Sequence, residues 1–158
     1  MGGALRNALP YIGRMNAPLY NTEILRLAAT IPHNARLADP MGSAEKRSPV
    51  CGSRVTVDIN MDEEGRVREG GLLVRACALG QASSSLMAAS VIGKSPEELA
   101  TARDALATWL AGEGPLPDWP GFDLFTQALP HSARHASIRL AFEAAAEAAA
   151  TARASAAA

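Results

Sequence analysis

The stretch "SRVTVDINMDEEGRVREGGLLVRAC" constrains this chain more than any other part of it. Val55, Val57 and Ile59 fall on one face, and Arg54, Thr56 and Asp58 on the other, the period-two pattern of a strand. "DEEGR" is a turn in which Gly65 supplies a positive φ. "VREGGLLVRAC" then returns as the antiparallel partner, with a bulge expected at Gly70–Gly71. Such a hairpin brings the start of its first strand and the end of its second to one edge. The chain's two cysteines, Cys51 and Cys77, flank those two ends, so folding the hairpin makes the thiols neighbours.

The flanking sequence covers this hairpin with helices. "NTEILRLAATIP" is a short amphipathic helix, capped by Asn21 or Thr22, with Ile24, Leu25, Leu27 and Ala28 as its apolar stripe. A loop over residues 33–42 leads to "SAEKRSPV", charged and proline-bearing as an edge strand is. "LGQASSSLMAASVIG" is built of small residues, which allow a helix to approach its neighbours closely, and Gly93 stops it. "SPEELATARDALATWLAG" carries Ser95 as N-cap, Pro96 at the first helical position and Glu98 to complete a capping box. A short helix "FDLFTQAL" and a long one from "SARHASIRL" follow. The reading is α+β: a small three-stranded antiparallel sheet packed with helices.

Residues 1–18 are expected to be a disordered extension, with Met15, where the helix pattern begins, as an alternative start of translation to Met1. Residues 19–150 form the one domain, and residues 151–158 an alanine-rich tail within a C-terminus expected to fray. With 15 basic and 16 acidic residues the chain offers no reason to expect a nucleic-acid or membrane surface. Two cysteines make no disulfide framework, and thiols that must stay reduced fit a cytoplasmic location.

The thiols leave three readings open: a metal site, a reactive pair, or two buried small residues. Gly52 after Cys51 lets another group come close, and the helix start after Cys77 favours a thiolate there. Of three histidines, His33 sits in a loop and is expected to be exposed. His131 and His135 are four apart and would share a helix face, where with two cysteines they would make a tetrahedral site. "ASSSL" is not a nucleophile elbow, and "MGSAEKRS" lacks the spacing of a phosphate loop.

The run "SPVCGSRVTVDINMDEEGRVREGGLLVRACALGQASSSLMAASVIGKSPEEL" resembles the U-type iron–sulfur cluster assembly scaffolds: IscU, SufU and the N-terminal domain of NifU. In that family a Cys-Gly-Asp opens a strand, and a hairpin leads to a second cysteine. A helix rich in small residues and serine follows, with a "GKS" boundary after it. The resemblance runs from about Leu19 to about Ala146 and is strongest over residues 48–99. It implies a SufE/NifU-like fold and a scaffold or carrier that is not an enzyme. Such a protein accepts sulfur from a cysteine desulfurase, assembles a [2Fe–2S] cluster and hands it to acceptor proteins.

The family's ligands are three cysteines and the aspartate after the first. Here the resemblance assigns Cys51 and Cys77 to the first two cysteines, Ser53 to the aspartate position and Ser137 to the third cysteine, with His135 nearby as the expected third ligand. Two thiolates are half the sulfur ligation of an ordinary cluster. Binding of a cluster or of iron would therefore draw on His135, on a second subunit in a homodimer, or on an external thiol. The alternatives on the same fold are a zinc-binding protein, a sulfur relay in which Cys77 passes a persulfide to Cys51, and a cluster-free adaptor that docks the desulfurase.

Overall fold

The computed structural model describes residues 19–49 and 51–157. The expected extension and the Met15 start lie outside the described residues. Helix α1 (Thr22–Ala29) is capped by Asn21, whose side-chain oxygen accepts the Ile24 N–H at 2.9 Å. Its stripe is narrower than the pattern suggests: Ile24 is fully buried, whereas Leu25 is 51% exposed. Strands β1 (Gly42–Arg47), β2 (Arg54–Met61) and β3 (Val67–Arg75) form an antiparallel sheet in that order. Helices α2 (Ala78–Ser90), α3 (Pro96–Leu110) and α4 (His135–Ala157) follow, with two 3₁₀ segments, Phe122–Ala128 and Ser132–Arg134, between α3 and α4.

The sheet's inner face packs on α4. Val55, Val57 and Ile59 are buried there with Ala141, Ala145, Ala148 and Ala149, so small helix residues let the helix lie close to the strands. A Cβ on Gly42 would run into the backbone at Ala148 and Ala152. That contact explains why the C-terminus does not fray as the sequence suggests. α4 continues to Ala157, Ala152 is fully buried, and Arg153 pairs with Glu97.

One other expectation is corrected. The irregularity in the hairpin falls between Asn60 and Met61, opposite Arg68, not at Gly70–Gly71. Gly71 serves a different need: a Cβ there would sit 2.5 Å from the Ala35 carbonyl oxygen, because the loop after α1 crosses the outer face of the sheet at this point. The loop is fastened by Asp58. Its carboxylate accepts from Arg36 at 2.7 and 3.1 Å, from the Leu37 N–H at 3.0 Å and from the Ser43 hydroxyl at 2.6 Å. Burial raises the Asp58 pKa, but Arg36, Ser43 and the Leu37 N–H together outweigh it and hold the group below its ordinary value.

The capping box at Ser95 and Glu98 is formed in full, with Pro96 at the first turn. The serines of α2 explain its close approach to its neighbours. Ser83 donates to the Ile138 carbonyl at 2.6 Å, Ser85 to that of Thr30 at 3.4 Å, and Ser84 back to Gly80 at 2.8 Å. Among the described residues no helix is long and apolar enough to cross a membrane.

Candidate functional site

The strand register pairs Arg54 with Arg75, so Cys51 and Cys77 lie just beyond the same end of the hairpin. Cys51 sits in a tight turn closed by the Ser48 N–H on the Ser53 carbonyl at 2.8 Å and the Gly52 N–H on the Ser48 carbonyl at 3.0 Å. Gly52 has φ 74°, a conformation that other residues seldom adopt, and this re-aims the chain directly after the thiol. Cys77 is the residue before α2 begins. It is half-buried against the core, and its side chain makes no capping hydrogen bond.

The third contribution comes from α4. Ser137 is brought to the turn because α2 and α4 touch at Gly80, where a Cβ would lie 2.7 Å from the Ala76 Cβ and 3.2 Å from the Ser137 carbonyl oxygen. The result is a triangle: Cys51 Sγ is 3.1 Å from Ser137 Oγ and 3.2 Å from Ser53 Oγ, and the two hydroxyl oxygens are 3.3 Å apart. Ser53 and Ser137 are buried, whereas Cys51 is exposed.

This arrangement stabilises a thiolate. Hydroxyls of Ser137, Ser48 and Ser53, in that order, bring the Cys51 pKa from 9.0 to about 6, against a smaller opposing effect of burial. At neutral pH the sulfur is therefore largely ionised and solvent-accessible, which makes it both a nucleophile and a soft metal donor.

The histidines do not join it. His33 is exposed, with φ 57° in its loop. His131 precedes the short 3₁₀ turn and is exposed, so it shares no helix face with His135. His135 opens α4, but its Nε2 is occupied by the carbonyls of Ala128 at 2.9 Å and Leu129 at 3.1 Å. Among the described residues no group of three or more His, Cys, Asp or Glu side chains is arranged to hold a metal ion. The expected third ligand is thus turned to the backbone, because the chain leaving the 3₁₀ segment needs its carbonyls satisfied.

A model of the NifU-like N-terminal domain matches residues 19–155. The chain belongs to the NifU-like N-terminal domain family. Its fold overlays the crystal structure of a nitrogen-fixing NifU-like protein (N-terminal) from Brucella abortus with a TM-score of 0.81 and 40% identity, over 88% of this chain and 97% of that one. The FiSufU structure from Fervidobacterium islandicum AW-1 shares the fold at TM-score 0.76 and 18% identity, covering 84% of this chain and 98% of that one. In sequence, the chain is 28% identical over 82 residues to the iron–sulfur cluster assembly scaffold protein IscU of Streptococcus pyogenes serotype M1. That match takes in 52% of this chain and spans about half, 51%, of the curated relative.

Sequence reasoning missed Ser48, which adds a hydroxyl to the thiolate, and the arginines Arg47, Arg54 and Arg75 beside the turn. Ser48 was visible only as the first letter of "SPVCGS". The arginines become a group only through the strand register.

Proposed function

We propose that this NifU-like domain is an iron–sulfur cluster assembly scaffold or carrier, a protein that holds its cargo and passes it on and is not an enzyme. The observation that carries this reading is the exposed Cys51, flanked by the Ser53 and Ser137 hydroxyls, at the hairpin edge it shares with Cys77. The streptococcal relative's name and the family membership support it. Cys51 and Cys77 are the thiols that meet iron and sulfide. Ser53 and Ser137 orient and charge Cys51 and do not ligate, since a serine hydroxyl must lose a proton to bind metal tightly. A cluster of the [2Fe–2S] type has four protein-ligand positions, so the remaining donors come from outside this chain: a second copy or an external thiol. The partners are a cysteine desulfurase and cluster-acceptor proteins in a reducing compartment such as the cytoplasm.

The sulfur-accepting role is favoured by the low pKa of Cys51. Its thiolate attacks the terminal sulfur of a donor persulfide; the new S–S bond forms on Cys51, and the donor leaves as a thiolate with the electron pair.

The test is iron, zinc and sulfide content after anaerobic reconstitution of the full chain and of Cys51→Ala. Iron with sulfide in the wild type, lost in the variant, is the expected result. Zinc alone would replace the scaffold with a thiolate metal site. No metal in either protein would overturn the scaffold reading in favour of a cluster-free adaptor. Intact mass after incubation with a desulfurase and cysteine reads the sulfur step separately, as one added sulfur that disappears in Cys51→Ala.

A further inference from the structure

The register of the sheet places three arginines in a row. Arg47 is directly opposite Arg54, and Arg54 directly opposite Arg75, at the end of the sheet nearest the cysteines. Residues directly opposite in antiparallel strands project from the same face, and like charges so placed repel. A guanidinium cannot relieve that repulsion by losing its proton. The row is thus a local conflict in the sheet unless something negative neutralises it.

The protein supplies only part of that charge. Glu45 lies 2.7 Å from Arg47 Nε. Among the described residues, neither Arg54 nor Arg75 forms an ion pair with a carboxylate. The three side chains border one half-open depression in the surface. With Ser48, Pro49 and Gly52 they line a cleft of about 400 Å³, whose wall is the turn that carries Cys51. A cleft of this size suits a small molecule, and adjacent guanidinium forks suit the paired oxygens of carboxylate or phosphate.

We infer that the Arg47–Arg54–Arg75 cleft is a binding site for a small polyvalent oxyanion of the phosphate or polycarboxylate class, seated against the Cys51 turn. The site depends on charge, strand register and the shape of the cleft, and stands whether or not the protein carries a cluster. Another cleft of similar size, between Lys94, Glu97, Glu98 and Asp118, sets one lysine among three carboxylates and so offers no anion site.

The experiment is an amide NMR titration of the full chain with pyrophosphate and, separately, with citrate, at low ionic strength. Saturable shifts at Gly52, Arg54 and Arg75 are expected, and binding at least about tenfold weaker in Arg54→Gln/Arg75→Gln. Arg26→Gln/Arg68→Gln makes the same change in net charge elsewhere on the surface, and its affinity is expected to stay within about twofold of the wild type. Tighter pyrophosphate binding assigns a phosphate-bearing ligand, and tighter citrate binding a polycarboxylate. No saturation with either anion, or an equal loss in both double variants, overturns the site. Should the first double variant fail to fold, Arg75→Gln alone, at an exposed side chain, gives the same reading by weakening binding or leaving it unchanged.

Discussion

The two ends of the β2–β3 hairpin are made differently. At the Gly65 end Asp62 and Arg66 tie the turn to itself and to the start of α3. Asp62 accepts the Glu64 and Arg66 N–H groups at 2.9 Å each, Arg66 reaches Glu98 and the Gly93 carbonyl at 2.8 Å, and Val67 exchanges backbone hydrogen bonds with the Gly93–Lys94 segment. At the cysteine end an exposed thiol is held ionised by hydroxyls, and three arginines face one carboxylate. The first end closes its own interactions and anchors α3. The second leaves sulfur and positive charge uncompensated toward solvent.

The cysteine end is disturbed most severely through Gly80. Gly80→Ala drives a methyl group into Ala76 and the Ser137 carbonyl, and is expected to cost about 2 kcal/mol of stability by urea denaturation. It also parts α2 from α4, and so the Cys51 triangle loses Ser137. Ser137→Ala tests that triangle without the clash. Removing the largest contribution to the low pKa should slow Cys51 alkylation at pH 6 by roughly tenfold and move the midpoint of its pH profile upward.

The sign for stability follows from the same depressed pKa. The Cys51 contribution is fully present above the ordinary thiol value of 9.0 and is lost as pH falls through about 6. The pH dependence of stability over that window should therefore flatten in Ser137→Ala.

At the opposite end, Ser95→Ala removes one half of the capping box and should cost about 1 kcal/mol while leaving Cys51 alkylation unchanged. A change in alkylation there would show that the two ends are coupled. The smallest effect is expected from Arg54→Gln/Arg75→Gln. With repulsion across the strands relieved, stability should rise by about 0.5 kcal/mol at low salt, and the gain should fade at high salt.

Much of this protein was legible from its letters. Strand β2, the Gly65 turn and the Ser95 capping box are local signals, decided by a few neighbouring residues, and each forms as read; of the two cap candidates for α1, Asn21 takes the role. The hairpin alone was enough to bring the two cysteine segments to one edge. The resemblance added Ser53 and Ser137 as positions belonging to the same site, and they stand within 3.3 Å of each other and of Cys51.

What local pattern could not decide was set by long-range contact. His135 has the right chemistry and lies two residues from Ser137, yet the carbonyls of Ala128 and Leu129 occupy its ring nitrogen. The alanine-rich C-terminus reads as a fraying tail until β1 gives it a partner, for small side chains gain their stability only from the close approach they permit. Asp58 lies on the face of β2 away from the valines, and only the loop carrying Arg36, folded over that face, buries it. The low pKa of Cys51 and the arginine row arise in the same way. The sequence determines the strands, the caps and the place of the thiols, because those depend on neighbours in the chain. Only the tertiary structure decides which hydroxyls surround the sulfur and which charges stand side by side, because those distances are fixed by strand register and helix packing.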